Sequence, residues 1–275
     1  GYVEKEENLS QCGNAWVYDN ALVCGDARVC GDARVYGNAE VYENAWVYEN
    51  ALVYENALVC GDARVCGDAR VCGDAWVYEN AWVYDNARVY GDARVYGNAE
   101  VYDNARVYDN ARVYGDARVY GNAEVYDNAR VYGDAEVYGD AEVYDNAWVY
   151  DNARVYGDAE VYDNARVCGD AWVYENALVY ENALVCGDAR VCGDADYATA
   201  KGFGSCFRTT TFFRLKNGRV GVKCGCFCGT LEEFRKKVME THGESKTAEE
   251  YLMLANLMEF KFAKKKVEEK SNGKI

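Results

Sequence analysis

The chain has 275 residues, no proline, 13 cysteines and a net charge of −16. Half of the residues are hydrophobic and 14% are aromatic, which excludes a disordered acidic segment, and no apolar run approaches the roughly 18 residues that a membrane-spanning helix needs. Because no secretion signal opens the sequence, we expect a cytoplasmic protein whose cysteines are free thiols or metal ligands rather than a disulfide framework.

A six-residue repeat dominates the chain. Residues 1–16 precede it and are expected to form an N-terminal cap, and from Val17 to Val191 a valine recurs at every sixth position, giving thirty hexads. Each hexad reads Val, Tyr or Cys, then Gly, Glu or Asp, then Asp or Asn, then Ala, then a variable sixth residue. The pattern predicts a short strand with Ala and Val inward, and a corner in which Asn and Asp tolerate the left-handed backbone conformation. Three such sides make a triangular coil of 18 residues.

The repeat also has the spacing of a known superfamily. With an aliphatic residue followed four positions later by a small one, residues 17–196 resemble the hexapeptide-repeat, left-handed parallel β-helix superfamily. The left-handedness is implied by that resemblance. The predicted fold is therefore an all-β solenoid, a left-handed parallel β-helix of about ten 18-residue triangular coils, followed by a small α+β domain.

The hexads offer little chemistry. Many members of the superfamily are acyltransferases with a catalytic histidine, and a related branch holds a metal with three histidines from neighbouring chains. In this chain the single histidine is His242, outside the repeat, and the hexads contain no Ser, Thr or Lys. We therefore expect a non-enzymatic protein without a cofactor.

Charge is segregated along the chain. The hexads carry an excess of 21 negative charges, mostly at the corners, whereas residues 197–275 carry an excess of seven positive charges. Three acidic columns along the rod explain its solubility, and we expect no direct binding of nucleic acid by it. The alternative explanation is mimicry of a nucleic-acid backbone, by analogy with acidic pentapeptide-repeat proteins.

The sixth positions form three exposed columns, one for each side of the triangle. Two columns mix Arg with Trp and Glu, which favours cation–π contacts and ion pairs between adjacent coils. The third, which we call the charged column, is complementary to its own reverse: Arg34, Leu52, Arg70, Arg88, Arg106, Glu124, Glu142, Glu160, Leu178 and Asp196. It predicts an antiparallel homodimer. The alternatives are the parallel trimer common in the superfamily, or solvated charges on a single rod.

Residues 197–275 are predicted to form a separate β-β-α-α domain. Its elements are a strand over 207–215, a turn at 216–219, a return strand over 220–227, and helices opened by the capping boxes Thr230 with Glu233 and Thr247 with Glu250. The predicted apolar stripe of the second helix includes Leu257. The stretch from Cys224 to Phe234, with Thr241-His242-Gly243, resembles a tail of uncharacterised bacterial and phage hexapeptide-repeat proteins, which implies no activity.

Three groups of side chains outside the charged column are candidate sites. The basic hairpin could hold a phosphate or an acidic partner through Arg208, Thr209, Thr210, Thr211, Arg214 and Lys223. A zinc site at Cys224, Cys226, Cys228 and His242 is the less favoured interpretation, because alternate residues of an extended strand lie about 6.6 Å apart. Cys168 and Cys186 stack on adjacent coils, where we expect a reduced pair that oxidation could crosslink.

Two functions follow from these features. The first is a rigid repeat scaffold that self-associates through one face and presents its C-terminal domains to a protein or nucleotide partner. The alternative is a phage or mobile-element inhibitor that sequesters a host factor through the acidic rod or a nucleotide through the basic hairpin.

Overall fold

The computed structural model describes residues 1–204 and 207–263, and the predicted domain end at 264–275 lies outside this range. The described chain is a parallel β-solenoid of about 11 turns, followed by a four-stranded antiparallel sheet and two helices. Strands of the solenoid pair in parallel with the strands one turn away, which builds three sheets. No helix in the described ranges is long and apolar enough to cross a membrane.

Each solenoid sheet contains one strand from each turn. The first sheet has the strands Tyr2–Val3, Leu22–Val23, Glu40–Val41, Leu58–Val59, Trp76–Val77, Arg94–Val95, Arg112–Val113, Arg130–Val131, Trp148–Val149, Arg166–Val167 and Leu184–Val185. The second sheet has Leu9–Gly13, Arg28–Gly31, Trp46–Val47, Arg64–Val65, Trp82–Val83, Glu100–Val101, Arg118–Val119, Glu136–Gly139, Arg154–Gly157, Trp172–Val173 and Arg190–Val191. The third sheet has Trp16–Val17, Arg34–Val35, Leu52–Val53, Arg70–Val71, Arg88–Val89, Arg106–Val107, Glu124–Val125, Glu142–Val143, Glu160–Val161 and Leu178–Val179.

The core of the solenoid is a column of valine and alanine. Every hexad valine from Val23 to Val191 and every hexad alanine from Ala21 to Ala189 is fully buried. This confirms the predicted inward positions. Since burying one valine side chain stabilises a fold by about 1.5–3 kcal/mol, the repeat supplies a similar increment at every hexad.

The N-terminal segment adds a turn that the six-residue period does not reveal. Tyr2 pairs with Leu22 and Leu9 with Val29, twenty positions further along, whereas later turns pair at a spacing of 18 residues. The two extra residues are taken up within the strand Leu9–Gly13, where the register shifts so that Gly13 pairs with Gly31. A 3₁₀ helix at Glu6–Asn8 precedes this strand, and the buried Asn8 side chain donates hydrogen bonds to the carbonyl oxygens of Gly25 and Ala27. The solenoid therefore has about 11 turns rather than the ten predicted.

The corners depend on the third residue of the hexad. The φ angle of this third residue is positive whether it is Gly, Asp or Glu, as at Gly25 (68°) and Glu43 (61°). The Asn at the fourth position has a positive φ at only four corners: Asn128, Asn146, Asn164 and Asn182. The prediction that Asn and Asp provide the bend is thus incomplete. Glutamate is favoured at several corners because its carboxylate reaches the next turn, as where Gly61 N donates to Glu43 Oε2 at 2.7 Å.

The C-terminal domain closes one end of the rod. Its strands are Tyr197–Phe203, Arg208–Arg214, Val220–Cys224 and Phe227–Thr230, its helices are α1 (Leu231–His242) and α2 (Lys246–Phe262), and a short 3₁₀ helix at Asp194–Asp196 precedes them. Phe213 packs into the solenoid core, whereas Phe212 packs against the two helices. Leu184 N donates to Thr211 Oγ1 at 2.9 Å, and Ala189 forms an antiparallel bridge with Leu215.

The predicted β-β-α-α order is correct but omits two strands. Strand Tyr197–Phe203 has no clear alternation of polar and apolar residues, and the predicted return strand over 220–227 is broken because the chain reverses at Gly225, whose φ is 57°. The Thr230–Glu233 capping box is confirmed. The second helix is capped instead by Ser245, and Leu257, expected in its buried stripe, is 56% exposed.

Candidate functional site

The charged column runs down the outer face of the third sheet. Parallel pairing places Arg70, Arg88 and Arg106 next to one another in consecutive turns. Glu124, Glu142 and Glu160 follow with the same spacing. One face of the rod is therefore basic over three turns and acidic over the next three.

The structure places Asp196 outside this column. It lies in the 3₁₀ helix before the C-terminal sheet, where Arg214 Nε donates to its Oδ1 at 2.8 Å and Cys192 N donates to its Oδ2. The last hexad therefore departs from the solenoid at the 3₁₀ helix Asp194–Asp196, and Arg214 holds the aspartate against the C-terminal domain. The complementarity that we predicted for the charged column is therefore kept only from Leu52 to Leu178, without the pair Arg34 and Asp196.

The basic half of the charged column has few neighbours of opposite charge. Arg106 Nη1 forms an ion pair with Glu124 Oε1 at 3.0 Å. Arg70 and Arg88 are exposed, and within residues 1–204 and 207–263 they form neither an ion pair nor a cation–π contact. Since like charges on adjacent strands repel, this half of the face favours a counter-charge from outside the chain.

The acidic half is held by tyrosines that the sequence analysis did not single out. Tyr108, Tyr126 and Tyr144 donate hydrogen bonds to Glu124, Glu142 and Glu160, respectively, at 2.6–2.7 Å. Burial and the nearby carboxylates raise the pKa of each of these tyrosines. The signal in the sequence is a tyrosine sixteen positions before each glutamate, and the result is a row of carboxylates held in place.

The other two faces are stabilised from within the rod. The guanidinium of Arg64 lies over the ring of Trp82 at 4.7 Å, and Trp148 lies between Arg130 and Arg166 at 5.0 and 4.3 Å. Glu136 lies between Arg118 and Arg154, 3.9 and 3.4 Å from them. The predicted cation–π contacts and ion pairs of these columns are confirmed, and the charged column differs from both.

Tyrosines at the second hexad position stack into ladders. One ladder joins Tyr90, Tyr108, Tyr126, Tyr144, Tyr162 and Tyr180, with neighbouring ring centroids 4.8–5.2 Å apart. Similar ladders run from Tyr78 to Tyr150 and from Tyr84 to Tyr174. One such ladder follows each of the three sheets.

The predicted anion-binding hairpin is divided between the two faces of its sheet. Thr210 and Thr211 are buried, Thr211 Oγ1 accepts from Leu184 N, and Arg214 is bound to Asp196. Arg208 lines a cavity of about 300 Å³ beside the helices. The hydroxyls and cations therefore do not converge on one anion, because strand residues alternate between the solenoid and the helices.

The residues considered for zinc are also separated. Cys224, Cys226 and His242 line the same cavity as Arg208, whereas Cys228, after the turn at Gly225, contacts Cys186 of the solenoid with a Sγ–Sγ distance of 2.9 Å. In the part of the chain that the structure describes, no group of three or more His, Cys, Asp or Glu side chains is arranged to hold a metal.

Comparison with protein families agrees with this architecture. The family model described as YdcK Beta solenoid repeat matches residues 27–43, 33–49, 63–79, 81–97, 87–102, 99–114, 105–121, 111–125 and 159–175. The chain is a β-solenoid repeat protein. The matched segments cover less than half of it, and no curated protein matches the chain. Membership of the hexapeptide-repeat superfamily, the left-handed winding and the resemblance of the tail to phage proteins remain predictions.

Proposed function

We propose that this β-solenoid is a non-enzymatic, rigid scaffold that forms an antiparallel homodimer through the charged column and holds two C-terminal domains at opposite ends. The observation that carries the proposal is the division of this column into three adjacent arginines and three adjacent glutamates. In such a dimer Arg70 would face Glu160 of the second copy, and Arg88 would face Glu142.

The local contacts support an interface on this face rather than on another. Arg70 and Arg88 stay exposed beside like charges, whereas the arginines of the other two faces, except Arg112, lie over tryptophan rings or beside Glu136. The tyrosine hydroxyls fix the glutamates, so little side-chain entropy is lost when a second copy binds them. Arg106 and Glu124 already form an ion pair at the proposed axis, where two copies would join four charges.

The C-terminal domain offers a surface for the partner of the scaffold. Met253, Leu257 and Phe260 of α2 are 68%, 56% and 81% exposed and follow one stripe of the helix. Exposed apolar stripes of this kind favour contact with another protein. We also place the protein in the cytoplasm, where its free thiols would stay reduced.

Analytical ultracentrifugation tests the interface. The wild-type chain is expected to sediment at twice its mass of 30.8 kDa. The triple variant Arg70→Glu, Arg88→Glu, Arg106→Glu should be monomeric, because glutamates would then face glutamates. The triple variant Glu124→Arg, Glu142→Arg, Glu160→Arg should also be monomeric, because arginines would then face arginines. Combining both sets of substitutions should restore the dimer.

A matched control keeps the charge change but moves it to another face. The variant Arg94→Glu, Arg112→Glu, Arg130→Glu alters the net charge by the same amount in the first sheet and should remain dimeric. A monomeric wild type, a trimer, or dimers that survive reversal of the charged column would each contradict the proposal.

The inhibitor role remains the alternative proposal. The separation of the basic hairpin residues does not support its nucleotide-binding form, so we base this alternative on the acidic corners, through which the rod would sequester a host factor. That form predicts a tight, salt-sensitive complex with a basic protein. The monomeric charge-reversal variants should bind this basic protein as well as the wild type does.

A further inference from the structure

Three cysteines from two domains meet where the C-terminal sheet docks on the solenoid. Cys168 and Cys186 occupy the same hexad position in adjacent turns and are joined by a hydrogen bond. Cys228 lies in the last strand of the C-terminal sheet, 42 residues from Cys186 in sequence, yet their sulfurs are 2.9 Å apart. A disulfide needs about 2.05 Å, so little movement would join them.

The two sulfurs differ in access to solvent. Cys228 is exposed, whereas Cys186 is only 6% exposed. Hydrogen bonding from Cys186, helped by the nearby Lys223 ammonium, lowers the pKa of Cys228 to about 6, while hydrogen bonds with Cys168 and Cys228, together with burial, raise the pKa of Cys186. Cys228 is therefore an accessible thiolate at neutral pH, with a protonated thiol directly behind it.

We propose that Cys228 and Cys186 form a redox-active pair that reacts with small-molecule disulfides of the glutathione class and thereby ties the C-terminal domain covalently to the solenoid. The Cys228 thiolate attacks the small disulfide, whose S–S bond breaks, and one half is bound to Cys228 while the other leaves as a thiolate. Cys186 then attacks the Cys228 sulfur, its proton passes to the departing thiolate, and the second half is released. The two cysteines are oxidised by two electrons, and one small disulfide is reduced to two thiols.

Contact between the Cys228 and Cys186 sulfurs makes oxidised glutathione react selectively with this pair rather than with isolated thiols. The second step is intramolecular, so the protein disulfide forms at a far lower ratio of oxidised to reduced glutathione than a mixed disulfide at an isolated thiol. Cys226 is the matched isolated thiol, since it is also exposed and lies in the same hairpin.

The full-length protein is equilibrated in glutathione buffers, quenched with acid and an alkylating reagent, and digested after glutamate and after basic residues. This double digestion leaves Cys168, Cys186 and Cys228 on separate peptides, and fragmentation distinguishes Cys228 from Cys224 and Cys226. We expect a Cys186–Cys228 crosslink at about one tenth or less of the oxidised glutathione needed to modify Cys226.

Variants separate the two steps. Cys186→Ser should stop at a mixed disulfide on Cys228, Cys228→Ser should abolish the crosslink, and Cys226→Ser and Cys168→Ser should retain it. Amide hydrogen exchange in strand Arg208–Arg214 should slow on oxidation and recover with reductant. Modification of Cys226 as readily as Cys228, a Cys168–Cys186 crosslink with Cys228 left reduced, or a Cys228 crosslink to Cys224 or Cys226 would overturn the proposal.

Discussion

At the scale of single residues, the φ angle of the third hexad residue limits which side chains a corner tolerates. A β-carbon placed on Gly67, whose φ is 68°, would lie 2.7 Å from the backbone nitrogen of Asp85 in the next turn. Gly187 has nearly the same φ, 65°, but it lies at the end of the rod with nothing within 4 Å of such a carbon. The two glycines therefore share a left-handed conformation and differ in crowding.

This contrast gives the first prediction. Gly187→Ala should lower the free energy of unfolding by about 1 kcal/mol, the cost of a left-handed alanine. Gly67→Ala should lower it by roughly 1 kcal/mol more, because the neighbouring turn must also shift. Urea denaturation followed by circular dichroism measures both, and equal losses would show that stacking does not select glycine at the corners.

From the sequence alone, a role could be assigned to a residue only where the six-residue period determined whether its side chain points inward or outward. The inward Val and Ala were predictable for this reason, and so were the contacts of Trp82 and Trp148 with arginines one turn away. The carboxylate of Glu43 bound to Gly61 was not, because helix and strand propensities say nothing about a side chain reaching along the rod axis.

At the scale of elements, the tyrosine ladders resist ionisation. Burial and Glu136 raise the pKa of Tyr120, a ladder member, from an ordinary value of 10 to about 12. A folded state that holds protons more tightly than the unfolded chain is favoured only while those protons are bound. The stabilisation is thus complete below pH 10 and lost as the pH rises from 10 toward 12.

The second prediction follows from this loss of stability at high pH. The urea midpoint should stay level up to pH 10 and fall between pH 10 and 12, while tyrosinate absorbance of the folded protein appears later than that of the unfolded chain. Replacing Tyr108, Tyr126 and Tyr144 by Phe should make the decline shallower. Native tyrosines that ionise at pH 10 with an unchanged midpoint would show that proton retention by the ladders does not stabilise the fold.

The C-terminal elements were harder to predict than the hexads. The two helices have capping residues and apolar stripes that are recognisable in sequence, as at Thr230. Strand Tyr197–Phe203 and the turn at Gly225 are fixed by pairing with neighbours distant in sequence, which local patterns do not record. The division of the basic hairpin and the separation of Cys228 from Cys224 follow from that turn.

At the scale of the whole molecule, the solenoid should tolerate changes in whole turns. Deleting residues 91–126 removes two turns, including Arg106 and Glu124, yet the charged column remains complementary to its own reverse. The third prediction is a folded dimer shorter by about 10 Å, at about 4.8 Å for each turn, measured by small-angle X-ray scattering.

A deletion of residues 91–124 provides the control. It removes two residues fewer and shifts the hexad frame by two positions. In every later turn Gly, Asp or Glu then takes the inward place of Ala, Ala takes that of Val, and the valines fall at the corners, so the protein should not fold to a rod. Equal stability of the two deletion variants in circular dichroism would show that the period does not determine the architecture.

Two of the tyrosine ladders, from Tyr78 to Tyr150 and from Tyr84 to Tyr174, also contact tryptophans. Tyr132 meets Trp148 edge to face with ring centroids 6.3 Å apart, and Tyr156 meets Trp172 at 6.2 Å. Excitation energy passes readily between aromatic rings at such separations, and tryptophan is the acceptor of lower energy. We therefore expect ultraviolet light absorbed along these two ladders to emerge as tryptophan fluorescence, which makes the emission spectrum an optical report on whether the turns remain stacked.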